Sequence, residues 1–477
     1  MKVLLAASEV SPIIKIGGLG DVIGSLPKAL EKLGVDVDVI VPFFPNAKIE
    51  NISLYKSMDL NIPFNDSTVP VEVFKTKLPD SDIDVILLKN SQYFSTGGTN
   101  FFAQNVTETE MFAFFDRAVV EYIKSGFNTY DIVHCNDWHT GLVTHMLQDE
   151  IPDSRPATLF TVHNLMYQGI GGLDVVRETG LTPGSHPLLD WDTSDGDLNM
   201  MLQGVTSSDF VNAVSPTYAK EILTEEFGGD LAEVLQAREG RLTGILNGLD
   251  YTAFPRDYAP NSWEKGKGEA KKKIFELLKL KGGLEQPLFT YIGRIDPNQK
   301  GIDLIYNVVP EIVKKGGTFV LLGTGVKDWE EKLVNLSKEK EMKDNFVCIT
   351  KFDIDLANLL YSGGDFLVVP SKYEPCGLIQ MIAVWYGTLP IVRAVGGLRD
   401  TIKDEVNGFT FDKYTSEDFL KAIEKAFMFY KSKNKMDSLV VSAMNCDFSW
   451  DISAKKYLGL YRRVVEERKS AHESVHL

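Results

Sequence analysis

Residues 365–387 read DFLVVPSKYEPCGLIQMIAVWYG, and the fold follows from how this stretch divides. Asp365 to Ser371 is a short apolar run with the composition of a strand, and Ile379 to Tyr386 is an apolar helical run that closes at Gly387. Between them lies Tyr373-Glu374-Pro375-Cys376-Gly377-Leu378. A carboxylate thus stands at the carboxyl end of a parallel strand, just ahead of a helix N-terminus. In open α/β sheets ligands bind in the crevice at that end, and the free amides of a helix start suit a phosphate. One short segment is therefore suited to hold both a sugar and a phosphate.

Outward from this stretch the chain alternates. Strands are expected at 2–9, 35–42, 83–89, 131–135, 157–162, 210–214 and 242–246, then at 287–293, 318–323, 345–350, 365–370 and 389–393, with helical stretches between them. After Asp21, for example, Val22, Ile23, Leu26, Ala29, Leu30 and Leu33 recur at helical spacing until Gly34. Such alternation predicts parallel, doubly wound α/β sheets. The series breaks at 247–268, which carries Pro255, Pro260 and a Gly/Lys-rich patch. The reading is two Rossmann-like domains facing across a cleft, residues 1–250 and 251–450, with a hinge near 247–260. Residues 451–477 hold an amphipathic helix, Ala454 to Val465, expected to pack back on the first domain. The opening MKVLLAASEV resembles a short signal core, but Glu9 and its alternation favour a first strand.

Composition excludes some functions. With 50 basic and 66 acidic residues, the net charge of −16 argues against a nucleic-acid or anionic-membrane surface. An anionic small ligand needs a local basic cluster instead. No apolar run reaches the ~18 residues of a membrane span. Cys135, Cys348, Cys376 and Cys446 form no CxxC pair, which fits reduced thiols in the cytoplasm rather than a disulfide frame or a zinc site.

Five strand-end segments carry the chemistry. Lys15-Ile-Gly17-Gly18-Leu-Gly20-Asp21 joins the first strand to the first helix. Its glycines allow close backbone approach, and Lys15 brings charge. The loop departs from the dinucleotide fingerprint because the third glycine, Gly24, comes one residue late, although Asp36 or Asp38 could mimic a ribose-binding acid. A plain tight turn is the bland alternative. His134-Cys-Asn136-Asp137-Trp138-His139 offers a carboxylate for hydroxyls and a ring for a sugar face; a zinc set of His134, Asp137 and His139 matches no common spacing. Thr161-Val-His163-Asn164 places His163 after a central strand. Gly293-Arg294-Ile-Asp296-Pro-Asn-Gln-Lys300-Gly301 pairs a planar guanidinium with a point charge, suited to a leaving diphosphate. Gly396-Gly397-Leu398 looks like a second amide nest or an ordinary turn.

Of these, residues 15–21, 136–139, 161–169 and 396–398, with Ala-Val-Ser-Pro-Thr-Tyr-Ala (213–219), Gly-Ile-Leu-Asn-Gly (244–248), Glu-Pro-Cys-Gly-Leu (374–378) and Tyr-Gly-Thr-Leu-Pro-Ile-Val-Arg (386–393), resemble the bacterial-type glycogen/starch synthases in order along nearly the whole chain. The resemblance implies a retaining glucosyltransferase of GT-B fold. It would use ADP-glucose, or alternatively UDP-glucose, and pass glucose to the non-reducing 4-hydroxyl of an α-1,4-glucan. It further implies that Lys15 and the Gly17 and Gly18 amides, near Asp21, face the donor phosphates. Asp137, His163 and Asn247 would line the glucose. Arg294 and Lys300 would hold the diphosphate, Glu374 the glucose hydroxyls, and the amides of Cys376, Gly377, Leu378 and Ile379 would lie near glucose and the distal phosphate. Phe352 falls at the base-stacking position, where many relatives have Tyr. Two features depart from wider patterns. Related broader families carry a second Glu eight positions after the first, where this chain has Ile382, with Gln380 nearby; the synthases share that departure. Arg294 and Lys300 lie one residue further apart than in the commonest bacterial pattern.

The sequence offers no second well-placed carboxylate, so front-side attack is expected, with the leaving diphosphate as base and no metal or other cofactor demanded. An NAD-linked oxidoreductase is disfavoured by the late glycine, and a non-catalytic sugar-binding protein by the basic pair. A sucrose- or trehalose-forming transferase would share the diphosphate clamp. The choice of ADP or UDP and the oligomeric state stay open at this point.

Overall fold

The computed structural model describes residues 1–50, 52–95, 106–181, 184 and 186–475. The chain divides into two compact units. Unit 1 is Met1–Val214, Ala219–Gly248 and the chain from Trp450 onward; unit 2 is Leu249–Ser449 with the short insert Ser215–Tyr218.

The strands of unit 1 are β1 (Lys2–Ala6), β2 (Asp36–Pro42), β3 (Tyr55–Phe64), β4 (Ser67–Lys77), β5 (Asp84–Lys89), β6 (Ile132–Asn136), β7 (Ala157–Val162), β8 (Ile170–Gly172), β9 (Asp197–Asn199), β10 (Phe210–Ala213) and β11 (Leu242–Gly244). Nine of them form one sheet in the order β11-β10-β7-β6-β1-β2-β5-β4-β3, while β8 and β9 pair separately. Chain order reverses between β1 and β6, so the loops after these two strands are neighbours at the switch point.

The expectation of purely helical stretches between the strands fails twice in this unit, at the β8–β9 pair and between β2 and β5. The interval between β2 and β5 was expected to be helical; it is the antiparallel hairpin β3–β4. Leu60, Ile62 and Phe64 face inward with Val69, Val71 and Val73, a period of two that marks strands. The turn between them, Asn65-Asp66, has both residues at positive φ of 52°, the conformation that two-residue hairpins require.

The C-terminal helix, Trp450–Val475, is longer than the expected 454–465 and lies in unit 1. Fully buried Tyr461 bonds His134 Nδ1 at 2.8 Å, and Tyr457 accepts from Asn212 Nδ2 at 3.0 Å. Burying each ring contributes about 2 kcal/mol, and the two hydroxyls help to satisfy buried polar side chains of the sheet.

Unit 2 has β12 (Leu288–Ile292), β13 (Thr318–Leu322), β14 (Phe346–Ile349), β15 (Phe366–Val369), β16 (Leu389–Arg393) and β17 (Phe409–Phe411). Their order, β14-β13-β12-β15-β16-β17, is wholly parallel and doubly wound. Here the switch point falls between β12 and β15. At the start of β15, Asp365 Oδ2 accepts from Lys271 Nζ at 2.7 Å and from the Leu288 amide at 2.8 Å, which sets β15 beside β12. Among the described residues, no helix is long and apolar enough to cross a membrane.

Candidate active site

In unit 2 the loops after β12 and β15 meet. Lys300 Nζ lies 2.7 Å from Glu374 Oε2, and Ser371 Oγ donates to the same oxygen at 2.9 Å. Glu374 is only 6% exposed, and the two donors satisfy an oxygen that the fold has withdrawn from water. Gly301 follows Lys300 at φ +67°, and a Cβ there would come within 2.1 Å of the Pro370 carbonyl. Only glycine lets the two loops approach this closely. The extra residue between Arg294 and Lys300 is absorbed in a turn: Asp296 Oδ1 accepts from the Asn298 amide at 2.9 Å, and Asp296 O from the Lys300 amide at 2.8 Å. Buried Gln299 then accepts from Arg294 Nη2 at 2.7 Å. The guanidinium is thereby aimed while its side chain stays 57% exposed.

The Glu374 loop is pinned from behind. Gln380 Nε2 donates to the carbonyls of Cys376 and Gly377 at 3.1 and 2.9 Å. Gly396, at φ +43°, and Gly397 lie against this loop so closely that a Cβ would meet Glu374 O at 2.0 Å or Cys376 O at 2.1 Å. The Gly397 amide donates to Glu374 O at 3.1 Å. The second glycine pair is therefore chiefly a packing device behind Glu374: one amide of the suspected nest is already bonded.

Beside Arg294 is a pocket of about 220 Å³ at the ends of β12, β13 and β14, with Gly293, Gly323, Thr324, Phe352 and Ile354 in its lining. Phe352 is 84% exposed, an aromatic face that nothing in the fold covers.

In unit 1, Asp137 follows β6 with φ +63°, a conformation that strains a residue bearing a Cβ. It is buried, and its Oδ1 has no hydrogen-bond partner. Burial pushes its carboxyl up to about 7, against the amides of Asn164, His163 and Trp138, which favour the charged form. Asn247 Oδ1 is likewise buried and unpartnered. His163 Nε2 lies 3.1 Å from Asn136 Oδ1. The Asn136 amide nitrogen donates to Ala6 O and His134 O, so its oxygen is the acceptor. His163 therefore carries its proton on Nε2, and Nδ1 is an acceptor. Desolvation lowers the His163 pKa, which keeps the ring neutral. Unit 1 thus presents several acceptor atoms, the complement of a polyhydroxyl ligand.

At the glycine-rich loop, Lys15 Nζ contacts Asp21 Oδ1 at 2.7 Å, both well exposed. A Cβ on Gly18 would meet nothing within 4 Å, so that side is open. Gly17 differs from its expected part: its amide donates to Glu9 Oε2 at 2.8 Å, so it faces the protein interior rather than a ligand. In the sequence, Glu9 argues only for a first strand. The overlooked signal is a carboxylate among the apolar residues at a strand end.

Two alternatives lose their footing. His134 has both ring nitrogens engaged, by Tyr461 and Thr161, which leaves none for a metal. Asp38 is buried, accepting from Tyr130 Oη at 2.8 Å and pairing with Lys2, so it is no ribose-binding acid, and Asp36 also pairs with Lys2.

Two Rossmann-like units, each with polar groups at the carboxyl ends of its parallel strands, are the architecture of the GT-B glycosyltransferases. A family model for the starch synthase catalytic domain matches residues 2–237, and one for glycosyl transferases group 1 matches residues 275–438. The glycogen synthase of Thermodesulfovibrio yellowstonii is 36% identical over 98% of this chain and 99% of its own. That of Pseudothermotoga lettingae is 38% identical over 98% and 100%. Among solved structures, the catalytic domain of starch synthase IV from Arabidopsis thaliana, bound to ADP and acarbose, aligns with a TM-score of 0.87 at 30% identity, covering 98% of this chain and 99% of that one. Sucrose-phosphate synthase from Thermosynechococcus elongatus, with a TM-score of 0.63 at 19% identity, shares the fold. The chain belongs to the glycogen synthase family.

Proposed function

We propose that this chain transfers glucose from ADP-glucose to the non-reducing 4-hydroxyl of an α-1,4-glucan with retention, in the cytoplasm. The observation that carries the reading is the Lys300–Glu374 pair at the switch point of unit 2, with Arg294 on the same loop. A strand-end cation pair beside a buried acceptor suits a sugar diphosphate: cations for the phosphates, carboxylate for the hydroxyls. ADP as the nucleotide is supported by the 30% identical starch synthase that binds it. The cytoplasmic assignment is supported by four free thiols.

On this reading Phe352 stacks the base over the pocket beside Arg294, and Arg294 and Lys300 hold the diphosphate. Glu374 grips glucose, while the Cys376, Gly377, Leu378 and Ile379 amides lie near glucose and the distal phosphate. Lys15 and Gly18, with Asp21, face the donor phosphates, and Asp137, His163 and Asn247 accept from glucose hydroxyls. Glu374 Oε2 is already engaged by Lys300 and Ser371, which suits a fixed acceptor better than a nucleophile. The step is then front-side: the C1–O bond to the diphosphate breaks and a C1–O4 bond forms on the same face. The acceptor hydroxyl proton passes to the departing phosphate oxygen. Lys300 and Arg294 stabilise the charge that develops there, an effect of several kcal/mol at a preorganised site.

The test is to incubate the purified protein with ADP-glucose or UDP-glucose, with and without glycogen. Nucleoside diphosphate release and the anomeric configuration of the product are then followed. Glycogen-dependent release from ADP-glucose with α-linked product is expected. Release without glycogen, a preference for UDP-glucose, or β-linked product overturns the reading.

A further inference from the structure

Glu9 has no part in the function proposed above, yet it is among the most constrained groups of unit 1. It follows β1, is 4% exposed, and its Oε2 accepts from the Gly17 amide at 2.8 Å and from the Ile16 amide. These are the two residues directly after Lys15. The carboxylate also explains the glycine run itself. A Cβ on Gly20 would come within 2.9 Å of Glu9 Oε2, and one on Gly17 within 3.3 Å of Oε1. The rest of the loop is sewn by backbone bonds: Val10 and Ile14 exchange two, at 2.9 and 2.8 Å, and the Ser11 amide donates to Gly20 O at 2.9 Å. At Ile16 and Gly17, where the chain turns from Lys15 into the helix Gly18–Glu31, a buried side chain takes over that role.

We propose that Glu9 is a positioning residue for the donor: by holding the Ile16 and Gly17 amides from inside, it presets the direction in which Lys15 leaves the loop. This rests on the reading that Lys15 faces the donor diphosphate. The Ile16 and Gly17 amides are taken up by the protein's own carboxylate, and binding is left to Lys15 and the open face at Gly18. A loop held in its binding shape loses less conformational freedom when the donor arrives.

The experiment compares initial-rate kinetics of the full-length Glu9→Ala, Glu9→Gln, Glu9→Asp, Gly20→Ala and Lys15→Ala variants, and of the Glu9→Ala/Lys15→Ala double variant. Glu9→Ala is expected to raise the KM for donor about tenfold or more while the KM for glucan stays within about twofold, a split that general unfolding would not produce. Glu9→Gln restores most of the loss, because an amide oxygen still accepts both N–H groups. Glu9→Asp, too short to reach, and Gly20→Ala, which displaces the carboxylate, both resemble Glu9→Ala. In the Glu9→Ala background, Lys15→Ala adds little, because the two act as a unit. A donor KM within about twofold of wild type in Glu9→Ala and Glu9→Asp, an equal rise for donor and glucan, or additive losses overturns the proposal. If Glu9→Ala does not fold, Glu9→Asp and Gly20→Ala carry the same test. An unchanged donor KM in Lys15→Ala overturns the reading beneath it, whereas a raised one with silent Glu9 variants overturns this inference alone.

Discussion

Lys300 Nζ and Glu374 Oε2 lie 2.7 Å apart although they stand 74 positions apart in the chain, and their side chains are 16% and 8% exposed. An ion pair this secluded is costly to break from one side, because the remaining charge stays buried without compensation. Lys300→Met should therefore lower stability by about 3 kcal/mol and kcat by about 100-fold or more. Adding Glu374→Gln should recover most of the stability and none of the activity. Denaturant unfolding and kcat on the three variants check this. Turnover within tenfold of wild type in Lys300→Met would sink the assignment of Lys300 to the leaving group.

Phe352 predicts the opposite pattern. An 84% exposed ring contributes little to the fold, so Phe352→Ala should leave the melting temperature unchanged. Loss of a stacking face is worth about 1–3 kcal/mol per base, so the donor KM should rise about tenfold or more, while Phe352→Tyr stays near wild type. An unaltered donor KM in Phe352→Ala would remove the base from this pocket.

Asp137 links the candidate site to pH. Unfolded, its carboxyl titrates near the ordinary value of about 4; folded, burial pushes it up to about 7. The folded state thus binds the proton more tightly. The stability of the fold is undiminished by Asp137 below about pH 4, falls as pH rises, and bears the full cost above about pH 7. Asp137→Asn should accordingly stabilise the protein at pH 8, by up to about 4 kcal/mol, with no gain near pH 4, while activity falls sharply. Unfolding curves at both pH values decide this, and equal effects at the two would contradict it.

The glycine pair behind Glu374 gives a structural prediction. Gly396→Ala places a methyl group 2.0 Å from Glu374 O at a φ of +43°. The Glu374 loop must move, so kcat should drop at least tenfold, with a loss of stability on the order of 2 kcal/mol. Wild-type kcat in a folded Gly396→Ala protein would show that Glu374 tolerates displacement.

Because the candidate leaving-group site is built from Arg294 and Lys300, exhaustive EDTA treatment should leave the initial rate unchanged. A loss reversed by added Mg²⁺ would assign the diphosphate to a metal instead.

Much of this protein is local, and what is local was legible. Strand and helix periods, the loop residues at strand ends and the family motifs all lie within short windows, so Asp137, His163, Arg294, Lys300 and Glu374 could be singled out from residues alone. The hairpin β3–β4 stands where a helix is expected, although Asn65-Asp66 and the alternation of Leu60, Ile62 and Phe64 mark it; the strand–helix alternation of the flanking sequence outweighs that short-range signal. Other facts depended on which strands became neighbours. The order β14-β13-β12-β15 places the loops carrying Lys300 and Glu374 side by side, and no local pattern records strand order, because it is settled by crossovers between distant segments. The same holds for Glu9. Sequence alone made it an acidic residue in a first strand and made Gly17 a ligand-facing amide. The return of the loop over β1 joined the two, because a carboxylate buried at a strand end must find donors, and the amides of Ile16 and Gly17 were the ones within reach.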